Sequence, residues 1–165
     1  MLCGMRRILV LLVVLAIAAT TGAFAQTGSA ALGVGAGFVV PPPAVDGGRD
    51  PAFAWGFHVN IPILSTLHLS PSSEIYRSGD TYATDNALSF KFMIPLSGWS
   101  PYFGVAPGLT AWGGDVSTHV GALGGVTVPL VSNLGAYAQY KYKVLFRDAT
   151  NTRYSHVSAG LIFSF

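Results

Sequence analysis

The chain has 165 residues, 51% hydrophobic but only 10% charged, where an average soluble domain carries about 25% charged residues. Without Arg6 and Arg7 the nine Lys+Arg become seven, equal to the seven Asp+Glu, so no nucleic-acid footprint remains. The single cysteine, Cys3, stands before those arginines, which excludes disulfide, Cys-zinc and thiol chemistry from the chain that follows the leader.

Arg6-Arg7, an apolar run from Ile8 to Ala19 and Ala23-Phe24-Ala25 before Gln26 together read as a cleaved secretory signal peptide over residues 1–25. The apolar run is too short for a membrane-crossing helix, which needs about 20 residues. Residues 26–165 then form one domain, and period-two alternation runs through nearly all of it. Leu32, Val34, Ala36, Phe38 and Val40 alternate with glycines, and Phe53, Trp55, Phe57, Val59 and Ile61 alternate with small or polar residues. The next segment, residues 66–77, is the weakest, because Pro71 and Ser73 interrupt its Leu67, Leu69, Ile75 face. Leu88, Phe90, Phe92 and Ile94 follow, then Phe103, Val105, Leu109 and Ala111, then Val120, Ala122, Val126 and Val128. Ala136, Ala138, Tyr140, Tyr142 and Val144 precede the last series, Val157, Ala159, Leu161, Phe163 and Phe165. The pattern predicts an all-β fold, an eight-stranded antiparallel up-and-down transmembrane β-barrel, most strands having the roughly 9–11 residues a tilted span requires. Pro62, Pro95 and Pro129 recur once per hairpin and are expected at strand ends, where a missing N–H is tolerated. Short turns are expected around Leu64, Gly98 and Ser132, and outer loops, themselves short, over residues 41–50, 77–85, 113–117 and 146–153.

Charges sort with these elements. Asp46, Arg49, Asp50, Arg77, Asp80, Asp85, Asp115, Arg147, Asp148 and Arg153 fall in the outer loops or at their edges. Glu74, Lys91, Lys141 and Lys143 lie on strand faces opposite the apolar series, which makes them a lumen network that must pair internally. The lysine excess also suggests an anion near the outer mouth, beside Lys141 and Lys143. Trp55 and Trp112 at one rim, with Trp99, Tyr102 and Phe165 at the other, suit two aromatic girdles. His58, His68, His119 and His156 share the polar parity, yet none pairs at metal-ligand spacing, so they read as interior filling bonded to Asn60, Ser70, Thr127 and Gln139. No cofactor and no metal are expected. His156 and Ser158 are two apart on one face, so the imidazole could serve the hydroxyl as a general base.

The terminal Ser158-Ala-Gly160-Leu-Ile-Phe163-Ser-Phe165 resembles the C-terminal signal read by the barrel assembly machinery of bacterial outer membranes. With Pro101-Tyr-Phe-Gly-Val-Ala-Pro-Gly108 and Gly124-Gly-Val-Thr-Val-Pro-Leu130, the chain resembles the small eight-stranded outer-membrane barrels that include the OmpA transmembrane domain and the opacity-type proteins. The resemblance implies a non-catalytic monomer of the bacterial outer membrane with an envelope structural or surface-interaction role. Its partners would be outer-membrane lipids, lipopolysaccharide and the assembly machinery, and any recognition would fall to the outer loops. Two alternatives stand beside it. The segment Arg153-Tyr-Ser-His-Val-Ser-Ala-Gly160 is similar to the His-x-Ser region of lipid A deacylases, but lacks their Asn after the Ser and has no later carboxylate. A secreted soluble barrel holding a small apolar ligand would instead need its apolar series inside.

Overall fold

The computed structural model describes residues 29–40, 50–147 and 151–165, so the leader expected over residues 1–25 lies outside the described residues, as do Asp46, Arg49 and Asp148. The described residues form eight strands: β1 (Ala31–Val40), β2 (Ala52–Pro62), β3 (Leu67–Ser78), β4 (Thr81–Met93), β5 (Ser100–Trp112), β6 (Asp115–Val131), β7 (Leu134–Leu145) and β8 (Thr152–Ser164). Each pairs antiparallel with its sequence neighbour, and β8 returns to β1, closing the barrel. Closure leaves no free edge.

The segment over residues 66–77 is a full strand. β3 is hydrogen-bonded to β4 along its whole length, from Leu67↔Phe92 to Ser78↔Thr81. Its ladder to β2 is broken between His58↔Ser72 and Ile61↔Leu69, beside Pro71, which has no N–H to give. The expected loop over residues 77–85 is corrected: β3 and β4 run on to a two-residue turn, Gly79–Asp80, and Asp85 lies within β4. Residues 113–117 shorten likewise. Gly113 and Gly114 take φ of 55° and 99°, the doubly positive geometry that lets a two-residue hairpin follow the twist of its strands, and β6 begins at Asp115. Pro129 does not end β6 but sits beside the register shift between Pro129 and Val131.

The faces are inverted relative to a soluble barrel. Phe53, Trp55, Phe57, Phe90, Phe92, Phe103 and Val105 point outward and are exposed, while Glu74, Asp85, Lys91, Lys141 and Lys143 are buried inside. Two girdle assignments are corrected: Trp112 and Tyr102 are each only 5% exposed and face the lumen, whereas Trp55, Trp99 and Phe165 are exposed outside. At the end where β3 joins β4, Val39, Tyr76, Trp112, Leu145 and Tyr154 pack into an apolar plug, with the Arg147 guanidinium 4.3 Å from the Trp112 ring. Nearer the opposite end, Ala87, Tyr102, Ala106 and Leu123 form one cluster and Ala31, Tyr137 and Ile162 another.

The β1–β8 seam runs from Ala31↔Ser164 to Val40↔Ser155. Here the chains approach closely: a Cβ on Gly37 would run into the Val157 carbonyl, and one on Gly160 into that of Val34. Only glycine fits such an approach.

Candidate functional site: the lumen network

Inward-facing positions of β3 to β8 converge on one buried cluster. Glu74 comes from β3, Asp85 from β4, Thr110 from β5, His119 from β6, Lys141 and Lys143 from β7, and Tyr154 and His156 from β8. Lys143 Nζ donates to Asp85 Oδ2 at 2.8 Å and to Glu74 Oε2 at 3.0 Å. Lys141 Nζ donates to the other Glu74 oxygen. Asp85 also accepts from Tyr154 Oη at 2.7 Å and Thr110 Oγ1 at 3.4 Å, and lies 3.0 Å from His119 Nε2. Two carboxylates and two ammonium groups therefore neutralise one another out of water, with enough hydrogen bonds to offset much of their desolvation. Of the residues expected in the lumen network, Glu74, Lys141 and Lys143 come together here, with His119 beside Asp85 and His156 beside Glu74.

Lys91 stands apart. Its Nζ donates to Asn60 Oδ1 at 3.0 Å and lies 5.1 Å from the Tyr102 ring centroid. Asn60 Oδ1 also accepts from Ser70 Oγ at 2.8 Å, and Tyr102 Oη donates to Gln139 Oε1 at 3.3 Å. The expected histidine partners are therefore corrected. Asn60 accepts from both Lys91 and Ser70, Gln139 serves Tyr102, and carboxylates stand beside the histidines: Asp85 by His119 and Glu74 by His156. A carboxylate outcompetes a neutral oxygen for such a donor because the bond is charge-assisted. His58 packs edge-on against Tyr137, with centroids 4.8 Å apart, and His68 sits lower, near the short turns. The anion suggested beside Lys141 and Lys143 has no vacancy there, since both ammonium groups are held by carboxylates.

Sequence reasoning missed Asp85, Thr110 and Tyr154. Asp85 was detectable, because it shares odd-numbered parity with Ser89 and Lys91, opposite Leu88, Phe90 and Phe92.

His156 and Ser158 both face inward and are buried. His156 Nδ1 is 3.0 Å from Glu74 Oε2 but outside hydrogen-bonding angles, and Nε2 has no partner, Ser158 included. The space beside them is a cavity of about 10 Å³, room for about one water. An acyl chain has no room to reach that pair. Among the described residues no cluster of His, Asp and Glu is arranged to hold a metal ion.

Of the assembly-signal residues, Ser158 is inside, Gly160 lies at the β1–β8 seam, and Phe163 and Phe165 are exposed outside.

No protein-family model matches the sequence, and no curated protein matches it. The fold is similar to that of Neisserial surface protein A (NspA), with 19% identity over 84% of this chain and 98% of that one and a TM-score of 0.69. The N-terminal β-barrel domain of Pseudomonas aeruginosa OprF gives 13% identity, 85% and 98% coverage and a TM-score of 0.63. Ail, the attachment invasion locus protein of Yersinia pestis, gives 14%, 84% and 100%, and 0.52. The chain has the fold of the small eight-stranded outer-membrane β-barrels.

Proposed function

We propose that this protein is a non-catalytic barrel of the bacterial outer membrane, with an envelope structural or surface-interaction role. The observation that carries the reading is the inverted wall, with large apolar side chains exposed outward on seven of the eight strands and the strand-interior charges inside. In water such a wall would be an aggregation surface far larger than a soluble monomer tolerates. In a bilayer it is the required one, and a Lys or Arg placed there at the midplane would cost about 2–4 kcal/mol. The end carrying the turns around Leu64, Gly98 and Ser132 then faces the periplasm, and the end carrying the Gly79–Asp80 and Gly113–Gly114 turns faces outside. Arg77 and Arg153, exposed near that outer end, are suited to lipopolysaccharide phosphates. The terminal Phe163 and Phe165, outward on β8, are suited to capture by the assembly machinery. The apolar plug and the charge cluster close the lumen above its short-turn mouth, which supports a stabilised wall rather than an open pore.

The test is gel mobility of membrane-fraction protein with and without boiling in SDS. A heat-modifiable band confined to the outer-membrane fraction is expected. A soluble periplasmic protein without a shift would overturn the reading.

A further inference from the structure

Lys91 is 2% exposed, and among the described residues no carboxylate lies within ion-pair distance of it. The interior holds three ammonium groups, but Glu74 and Asp85 are both engaged by Lys141 and Lys143. The described lumen therefore holds three lysines against two carboxylates, and Lys91 is the lysine left without a carboxylate partner. An ammonium group has three donors, and its side-chain acceptor here is Asn60 Oδ1, which Ser70 also uses. Burying an unpaired charge is costly, and a counter-charge is one way to offset that cost.

The lumen has space for one beyond two neighbours of this group, Asn60 and His68, which line a cavity that Lys91 itself does not. A cavity of about 260 Å³ opens at the short-turn end, and its wall includes Asn60, His68, Met93, Ser100 and Thr127. No residue lining it is acidic. Asn60 joins the two: its carbonyl is committed to Lys91 and Ser70, so what it offers the cavity is its NH2. His68 is the cross-strand neighbour of Lys91, and its Nδ1 is buried without a partner. Ser100 and Thr127 add hydroxyl donors across the opening. Convergent neutral donors in front of a buried cation form a receptor for an oxyanion, whose several acceptors match several donors.

We infer that this cavity binds a small oxyanion, of the phosphate or carboxylate class, with His68 and Asn60 at its wall and Lys91 supplying the charge behind them. Entry from the periplasm rests on the membrane reading above; binding itself does not. The site would hold a periplasmic solute at the inner mouth without passage, since the charge cluster and plug close the lumen above it.

The probe is inorganic phosphate, titrated into the folded full chain in a maltoside detergent, which carries no phosphate. Calorimetry and His68 ring NMR shifts are read at constant ionic strength set with chloride. Saturable one-to-one binding is expected, weakened about tenfold or more in Lys91→Met because a charge-assisted partner is lost, and weakened in His68→Leu. Absence of saturable binding to the native chain would overturn the proposal, as would equal affinity in folded Lys91→Met. If Lys91→Met does not fold, His68→Leu decides, and unchanged affinity there also overturns it. Failure of the gel-mobility test would remove the outer-membrane reading while leaving this binding result intact.

Discussion

Lys143 ties the two lumen carboxylates together, and replacing it with Met isolates the electrostatic contribution, because the stem volume is nearly kept. In the native lumen its side chain is 1% exposed, against 1% for Asp85 and 9% for Glu74. After Lys143→Met, Glu74 keeps Lys141, but Asp85 is left with Thr110, Tyr154 and His119 and no lysine. Breaking a buried pair in this way costs about 3–5 kcal/mol, chiefly because a charge is stranded. Adding Asp85→Asn removes the stranded charge while its amide oxygen still accepts from Tyr154. The double variant should therefore recover most of the loss, with a coupling of about 2–3 kcal/mol in the mutant cycle. Urea unfolding in lipid vesicles, followed by tryptophan fluorescence, measures both quantities. A single-variant cost below about 1 kcal/mol, the range of a solvated surface pair, would refute the argument, as would additive effects.

Two further outcomes follow from side-chain placement. In single-tryptophan variants, lipids with brominated acyl chains should quench Trp55, which is 52% exposed, and leave Trp112, 5% exposed, nearly unquenched; equal quenching would return Trp112 to the outer girdle. Gly37→Val places a side chain against the Val157 carbonyl, so it should abolish the heat-modifiable folded band, whereas Val34→Ile on the outward face of the same strand should leave it intact.

The architecture was legible because a membrane barrel writes itself into parity. Leu32 to Val40 and Val157 to Phe165 alternate without exception in the face they present, and the observed β1 and β8 follow them. Parity also contained more than was taken from it. Tyr102 and Trp112 lie an odd step from Phe103, Val105 and Ala111, which places them inside, but their aromatic character suggested a girdle. Asp is common in loops, which masks Asp85, although its even step from Lys91 places it in the lumen. Pairing in the lumen was not legible at all. Glu74 meets Lys141 and Lys143 across the barrel, and Asp85 meets His119 and Tyr154. Those contacts depend on stagger between distant strands, which no local spacing records.

The β1–β8 seam sets the order in which the chain can fold. Seven ladders join neighbouring strands, and the two-residue turns at Gly79–Asp80 and Gly113–Gly114 allow those hairpins to zip locally. The eighth joins Ala31 to Ser164, so its loop-closure entropy falls on nearly the whole described chain at once. Such non-local pairing is slow. The middle of its inward side offers little adhesion, since Gly35 and Gly37 face Gly160 and Ser158. There closure rests on backbone hydrogen bonds, which form only once both edges are present. Until the last strand arrives, the chain is an open sheet with two adhesive edges. In a barrel closed this way the folding rate should respond more to whatever speeds the β1–β8 pairing than to any improvement in the hairpins.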